Sequence, residues 1–583
     1  MDKKRVAEIL DEMGTILEIK GDNPFRTRAF HGAAETIASL TEDLSTLVAS
    51  DSLTDLPGIG KKIAEIVADL VRHGDSKDYA TLRQSLPQGL LEMTRIPGVG
   101  PKRVRILYEK LGVTTVGELK QAGETHRVAE LKGFGKKSEE NILLCIERLQ
   151  KRTGRRLFPQ ALKDASEILA ALLALKEVER AEIAGSLRRR KELIGDIDII
   201  ASCSANGRSR VFEIFLQHPL VQQTVGQGDT KASVVLQSGI NCDLRLVSRK
   251  EYPFALSYFT GSKEHNVLLR SMARTQGWSL NEYGFSFAEE SRKQSLKRWP
   301  DCKTEKAIYA SLGLDYIPPE LRENMGEIDA ARRHSLPILV QERNLKGTFH
   351  CHTTYSDGLN SLEQMSAKAA SLGWEYWGVA DHSKAAVYAG GLTTEKIRTQ
   401  LREIDTLNAR GKLPRIFKGI ECDILPDGSL DYADDILCQF EYVVASIHSK
   451  LDMSKEESTS RIIKALKNRF VTFLGHPTGR ILLERDGYPV SVAEILQAAS
   501  DHGKGIEVNS HPTRLDLDWR HLPYAREKGV KIFVNPDAHS IDGLEDVRYG
   551  VGIARKGWLG PGDVVNTWNE KQVEKYFRES RGG

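Results

Sequence analysis

Seven short apolar runs between residues 348 and 540 each end in polar or metal-ligating residue types. They cover 348–356, 376–383, 415–425, 442–449, 470–477, 505–510 and 531–540, and helical stretches alternate with them. Strands that all carry their polar residues at the same end, with a helix between each pair, fit a parallel arrangement. A (β/α) barrel with its chemistry at the strand C-termini satisfies that pattern. Residues 339–583 are therefore expected to form a distorted (β/α)7 barrel.

The rest of the chain is patterned differently. Residues 1 to about 150 have apolar residues at 3-to-4 spacing, broken by Gly-rich turns, which predicts an all-α region. A repeat lies inside it: Leu56-Pro-Gly-Ile-Gly-Lys-Lys-Ile63 returns as Ile96-Pro-Gly-Val-Gly-Pro-Lys-Arg103, and more loosely as Leu131-Lys-Gly-Phe-Gly-Lys-Lys137. From 161–176, a helical stretch, the chain passes to strand-like runs at 181–186, 196–202, 233–239 and 242–248, an α+β pattern. Residues 317–338 read as a connector. At 583 residues and 28% charged, the chain is long enough for several buried cores, and it holds no apolar run of membrane-spanning length. The N-terminus lacks a signal-peptide core, and seven scattered Cys without CxxC pairs fit a reducing compartment, so a cytoplasmic protein is expected. A net charge of +3 does not by itself point to nucleic acid. The basic clusters Arg188–Lys191 and Arg148–Arg156, the latter with Lys151, Arg152 and Arg155, are ordinarily solvated faces.

Two sets of metal-ligating residues sit in separate halves. The first is oxygen-only: Asp196 and Asp198 alternate on one strand, so their carboxylates share a face, and Asp243 on a neighbouring strand can complete a two-metal site. Hard carboxylate oxygens suit Mg²⁺ or Mn²⁺. Gly185, Ser186, Arg188 and Arg189 lie just upstream and supply a permissive turn, a hydroxyl and two guanidiniums for a triphosphate. The second set is rich in imidazole. His350 and His352 alternate on one run; Asp357 follows in a loop; His382, Glu421, His448 and His476 each end a separate run; Asp537 and His539 alternate again. A lone His is more often structural, but nine ligand-type residues at one barrel mouth predict two or three ions of Mn²⁺ or Zn²⁺. His502, His511 and His521 fall outside this pattern and are read as structural or surface residues. The hairpin turns complete the picture. A Pro-Gly-x-Gly turn opening a helix exposes N–H groups to a phosphate at the positive end of the helix dipole. Gly58, Gly60, Lys62, Gly98, Gly100 and Lys102 are the expected phosphate contacts.

These motifs resemble known families. The repeats are similar to helix-hairpin-helix elements, which grip DNA backbones without reading sequence. Gly185-Ser-Leu-Arg-Arg189 followed by Gly195-Asp-Ile-Asp198 resembles the signature of the family X DNA polymerases, with Asp243-Leu-Arg245 as the third catalytic strand. Tyr258-Phe-Thr-Gly-Ser262, Asn266 and Arg270 resemble the helix that packs on the nascent base pair. The resemblance implies that Asp196 and Asp198 bind both metals and that Asp243 binds the catalytic one. Ser186 and Arg189 would hold the triphosphate. Gly185, Gly261, Tyr258 and Phe259 would shape the nucleotide site, and Asn266 and Arg270 would probe the minor groove. The imidazole set resembles the PHP (polymerase and histidinol phosphatase) domain, whose clusters hydrolyse phosphoesters with metal-activated water. Glu421 is the natural bridging carboxylate, and Arg514 is placed to orient a phosphate.

The implied domains are 1–80 (helical, first hairpin), 81–155 (fingers-like hairpins), 156–250 (nucleotidyltransferase palm), 251–317 (thumb), 318–338 (linker) and 339–583 (PHP). Two departures stand out. Ile66 occupies the position where lyase-active relatives carry an imine-forming Lys, so lyase chemistry is expected to be weak or absent. Lys263 replaces an acid found in some relatives beside the incoming base. The expectation is a monomeric gap-filling DNA polymerase of base excision repair, acting on gapped or nicked DNA and dNTPs. Its PHP domain would serve as a 3′–5′ exonuclease, with AP endonuclease or 3′-phosphodiesterase action as a further expectation. The alternative is a PHP nuclease whose polymerase half only binds DNA. A histidinol-phosphate-type phosphatase or an inert scaffold would need either no hairpins or no ligands.

Overall fold

Glycine does the same work in all three hairpins. Gly58, Gly98 and Gly133 take φ of +80°, +82° and +92°, which side-chain-bearing residues rarely adopt. Each turn closes with a matching bond: Ile59 N to Leu56 O, Val99 N to Ile96 O and Phe134 N to Leu131 O, at 3.2, 2.9 and 2.9 Å. The helices Lys61–His73, Pro101–Leu111 and Lys136–Arg152 then begin. This computed structural model describes residues 3–287 and 300–581, apart from 39, 41–43, 95 and 153; the side chains at 147–152, which include Arg148, Lys151 and Arg152, also lie outside it.

The chain divides at Thr153 into two units. The first is helical, with one core from Val6 to Tyr79 and another built mainly from Leu90 to Ile146. Ile66 belongs to the first of these cores.

The second unit begins with a five-stranded sheet. Its strand order is Val178–Ile183, Asp196–Cys203, Asn241–Val247, Lys231–Leu236, Val221–Gln227. The strand Asp196–Cys203 runs parallel to Asn241–Val247 and antiparallel to Val178–Ile183. Its alternation sorts the layers. Ile197, Ile199 and Ala201 join the core under the helix Phe158–Leu173, while Ile200 packs with Tyr252, Ala255 and Leu256 of the helix Tyr252–Thr260. Asp196 and Asp198 share the parity of Ile200.

The connector is not a free tether. Ile317, Leu321, Ile328 and Ala331 pack into the core of the helices Lys263–Thr275 and Glu305–Ser311. Its two most deeply buried charges each have a partner: Arg322 with Glu305 at 2.8 Å, and Glu327 with His265 at 2.7 Å.

Six parallel strands follow in sequence order: Tyr376–Val379, Arg415–Asp423, Tyr442–Ser446, Phe473–Leu474, Gly505–Asn509 and Ile532–Asn535. The run at 348–352 is less regular than a strand, but it bonds to both edges of this sheet. Gly378 N reaches Thr348 O and His352 N reaches Ala538 O, both at 2.8 Å, which closes the ring with a seventh stave. One end of the ring is filled by Phe349, Tyr376, Phe417, Tyr442, Phe473 and Phe533 with Phe577 from the helix Glu570–Glu579. All seven cysteines are free, and among the described residues no helix is long and apolar enough to cross a membrane.

The barrel is joined to the five-stranded sheet through ionic contacts. Fully buried Lys556, at the end of the helix Val547–Lys556, donates to Glu323 at 2.6 Å and to the Arg189 carbonyl at 3.0 Å. Glu323 also takes Arg189 Nε at 2.9 Å and Lys191 Nζ at 3.4 Å. Burial opposes the charge, but Lys556 and Arg189 hold the Glu323 carboxyl down at about 2. Replacing Lys556 by Met is expected to destabilise this unit by on the order of 3 kcal/mol, because it uncovers a buried carboxylate. Adding Glu323→Gln should return part of that loss; strictly additive losses in urea unfolding would mean the two are uncoupled.

Candidate functional site

Asp198 and Asp243 are register partners on parallel neighbours, with Asp196 two residues earlier on the same strand. Gly185 stands against them: at φ +63°, a Cβ there would collide with the Asp198 carboxylate. Burial first, and then Asp196 and Asp243, push the Asp198 carboxyl up to about 6. Mutual repulsion of this kind is relieved by a cation, and an all-oxygen donor set fits Mg²⁺ or Mn²⁺. Asp243 is turned toward Lys231 Nζ at 2.6 Å, a partner that sequence reasoning missed. Lys231 sits on the next strand, where alternation could have indicated it.

Ser186 is half-buried on the same turn. The Arg189 guanidinium, expected on a triphosphate, is buried here against Glu323 and the Thr260 carbonyl. Arg188 is likewise taken by Glu305 at 2.7 Å and by Thr260 Oγ1 at 2.8 Å. Gly261 follows Thr260 at φ +71°, beside Arg189. Tyr258 meets Phe259 edge-on at 5.1 Å, and Arg245 covers the Phe259 ring at 4.1 Å. Asn266 donates to the Tyr258 carbonyl at 2.7 Å; Arg270 Nε reaches the Asn266 carbonyl at 3.3 Å, and Lys263 is exposed.

In the helical unit, open space surrounds Gly58, Gly60 and Gly100, and Gly98 has only Arg103 nearby. Lys102 is exposed, whereas Lys62 is paired with Asp78 at 2.9 Å. A cleft of 680 Å³ is lined by Gly58, Gly60, Lys61, Lys62, Lys20 and Arg26, among others; its wall includes Ile66, which is 1% exposed.

The barrel mouth gathers all nine expected ligands around Glu421. Its carboxylate lies 2.8 Å from His382, 2.9 Å from His476, 3.3 Å from both His350 and His448, and 3.8 Å from His352. Asp357 lies 3.5 Å from His539 and 3.7 Å from His382; Asp537 lies 3.1 Å from His352. Three sets bring their ligand atoms within 4.8 Å of one another: His352-Asp357-His382-His539, His350-His352-Asp537 and His382-Glu421-His448. Among the described residues, no such set forms at the Asp196 site. Buried His350 Nε2, His352 Nδ1, His382 Nδ1 and Glu421 Oε2 crowd together, but none makes a well-directed hydrogen bond. Orphaned donor atoms of this kind fit a metal cluster.

Three rings are aimed by their other nitrogen. His350 Nδ1 bonds to Glu507 at 2.8 Å, His448 Nδ1 to Asp423, and His539 Nδ1 to the Asp537 carbonyl at 2.9 Å. That leaves each Nε2 lone pair for an ion. Glu507 also accepts from His476 N, Asn535 and Asn509 at 2.7, 2.9 and 3.2 Å. Glu507 and Asp423 were missed, although both obey the same two-residue alternation: Glu421 to Asp423, and Glu507 to Asn509. Buried Asp381 holds the loop before Asp357 through Thr353 and Ser356. Arg514 Nε lies 3.6 Å from Asp537, and His511 pairs with Thr513 outside the cluster.

Comparison with known families agrees with this division. Residues 1–76 match a helix-hairpin-helix domain, 90–148 a SAM-like helix-hairpin-helix tandem, 255–323 the DNA polymerase beta thumb and 348–511 the PHP domain. Together they define a class: a family X polymerase core joined to a PHP domain. The chain is 37% identical over 583 residues to the DNA polymerase/3′-5′ exonuclease PolX of Bacillus subtilis (strain 168), with 100% of both chains covered. It belongs to that PolX family. DNA polymerase lambda of Rattus norvegicus is 26% identical over 340 residues, covering 54% of this chain and 56% of its own. A probable phosphatase of Thermoanaerobacter sp. (strain X514) is 30% identical over 176 residues, 28% of this chain and 69% of its own.

Two outcomes are expected. Without metal, the folded protein holds a proton on Asp198 up to about pH 6, while the unfolded chain releases it near 3.8, so stability falls as pH rises through that window. Asp243→Asn should move the carbon-13 titration of Asp198 down; an unchanged midpoint would exclude carboxylate repulsion. Glu507→Ala should weaken barrel metal affinity by about 10- to 100-fold in calorimetry, and unchanged affinity would remove its orienting role.

Proposed function

We propose that this protein is a template-directed, gap-filling DNA polymerase of base excision repair whose barrel trims 3′ ends as a 3′–5′ exonuclease. The reading rests on one observation above all: an aligned carboxylate set and a separate imidazole cluster occur in one chain that also carries three glycine hairpins, each opening a basic helix start. Mg²⁺ or Mn²⁺ bound at the sheet would supply charge neutralisation during in-line phosphoryl transfer, and Mn²⁺ or Zn²⁺ in the barrel would activate water. Asp196 and Asp198 would hold both cations, while Asp243 would hold the catalytic one and aid activation of the primer 3′-OH. Ser186 and Arg189 would hold the triphosphate at the turn that Gly185 permits, with Arg189 steadied by Glu323 and the Thr260 carbonyl.

Tyr258 and Phe259 narrow the sugar pocket, while Asn266 and Arg270 meet the minor groove. In the barrel, Glu421 would be shared between the ions, and Arg514 would orient the phosphate undergoing hydrolysis. AP endonuclease or 3′-phosphodiesterase action belongs to the same cluster. The substrates are dNTPs and gapped or nicked DNA, met in the cytoplasm by a monomer. Ile66, an alkyl side chain set into the core, gives no imine, so little β-elimination is expected.

The test uses a gapped duplex with a 5′-deoxyribose phosphate, supplied with Mn²⁺ and dNTPs. Asp196→Ala with Asp198→Ala is expected to abolish primer extension and spare 3′ shortening; His350→Ala with His352→Ala should do the reverse. The 5′ sugar should stay attached in every case. Wild-type protein that shortens the primer but never extends it would favour the DNA-binding-platform alternative. Loss of both activities in either folded variant would exclude two independent sites.

A further inference from the structure

The barrel keeps its large hydrophobic side chains inside, with a local exception. Between residues 339 and 581, those exposed among the described residues are Leu359 at 75%, Val387 at 82% and Tyr388 at 73%. A single exposed apolar side chain is ordinary, but a group confined to the rim of one site marks a binding surface. All three lie at the metal mouth. Leu359 is two residues beyond Asp357, and its N–H is held by the His539 carbonyl at 2.7 Å. The Tyr388 ring lies 6.2 Å from the His382 ring and 6.4 Å from that of His448.

Looseness of the chain does not account for this exposure. The loop carrying Val387 and Tyr388 is braced internally, with Leu392 N on His382 O at 2.8 Å, Ala389 N on Ala386 O at 3.0 Å and Gly390 N on Val387 O at 3.1 Å. It is also braced from outside: Lys384 N reaches the Tyr432 hydroxyl at 3.0 Å, and Lys396 Nζ reaches Gly390 O at 3.2 Å. A rigid loop that holds an aromatic ring in solvent beside a phosphoester-cleaving centre is a stacking platform in form. A nucleobase offers the matching flat face, and it is attached to the phosphate that the metal cluster would engage.

We propose that Tyr388, with Leu359 and Val387 beside it, holds the base of the 3′-terminal nucleotide being removed. The assignment rests on the exonuclease reading and deepens it: Tyr388 acts on substrate affinity, and because every base has a stacking face it acts with little regard to sequence. The experiment uses the full-length chain with Mn²⁺ and two single-stranded oligonucleotides, one ending in thymidine and one whose last nucleotide lacks its base. Tyr388→Ala is expected to raise KM for the thymidine end by about tenfold, the loss of one stack, with kcat changed less. Tyr388→Trp should restore it, and the baseless end should respond to neither substitution. Equal slowing on both ends, or no slowing on either, overturns the assignment while leaving the nuclease reading intact. Wild-type protein that shortens neither end overturns both.

Discussion

Glu323 is the carboxylate on which the second unit is assembled. It lies at the end of the thumb match, and it binds Lys556 of the barrel together with Arg189 and Lys191 of the turn beside the Asp196 site. Burying three charged groups, with Lys191 half-exposed beside them, is costly unless each is paired, so this contact tolerates few arrangements. Related pairs surround it: Arg555 with Glu320 at 2.8 Å, and Arg188 and Arg322 with Glu305 at 2.7 and 2.8 Å. Together they make the segment 317–338 a wedge between sheet and barrel. They also hold the two arginines next to Ser186 in place. Their guanidiniums match carboxylates that would otherwise be unpaired in the interior.

Charge is handled differently at the two candidate metal sites. Around Glu421 the acids are interleaved with imidazoles, which lie as close as 2.8 and 2.9 Å to its carboxylate. At the sheet only carboxylates face one another. The result is a raised Asp198 and an Asp243 turned to the Lys231 ammonium. The barrel adds a mechanical element. Its far end is a stack of aromatic rings, with Phe473 and Phe533 at 4.1 Å, which leaves the mouth as the open end of the ring. Loops at that mouth are free to carry exposed side chains such as Tyr388, because the packing beneath them does not depend on what they display.

Much of this was legible in the residue order, and the reason is periodicity. A two-residue repeat puts Asp196 with Asp198, His350 with His352 and Asp537 with His539, whatever lies around them. Gly-x-Gly before a basic helix start specifies a positive-φ turn from local sterics alone, and all three hairpins took it. Parallel order in the barrel followed from apolar runs with ligands at one end. What escaped notice has no local signature. Glu507 lies 157 residues from His350, and Lys556 lies 367 residues from Arg189. Either residue reads in isolation as an ordinary surface charge.

The sequence by itself therefore determined the element types, the faces they present and which candidate residues share a face at the two sites. Tertiary structure decided which charges pair: Arg189 with Glu323, Asp243 with Lys231, and His350 with Glu507. Chain-local patterns set backbone geometry because sterics act between neighbours in sequence. Charge pairing is decided by burial, which removes water as a competing partner and exists only once distant segments have met.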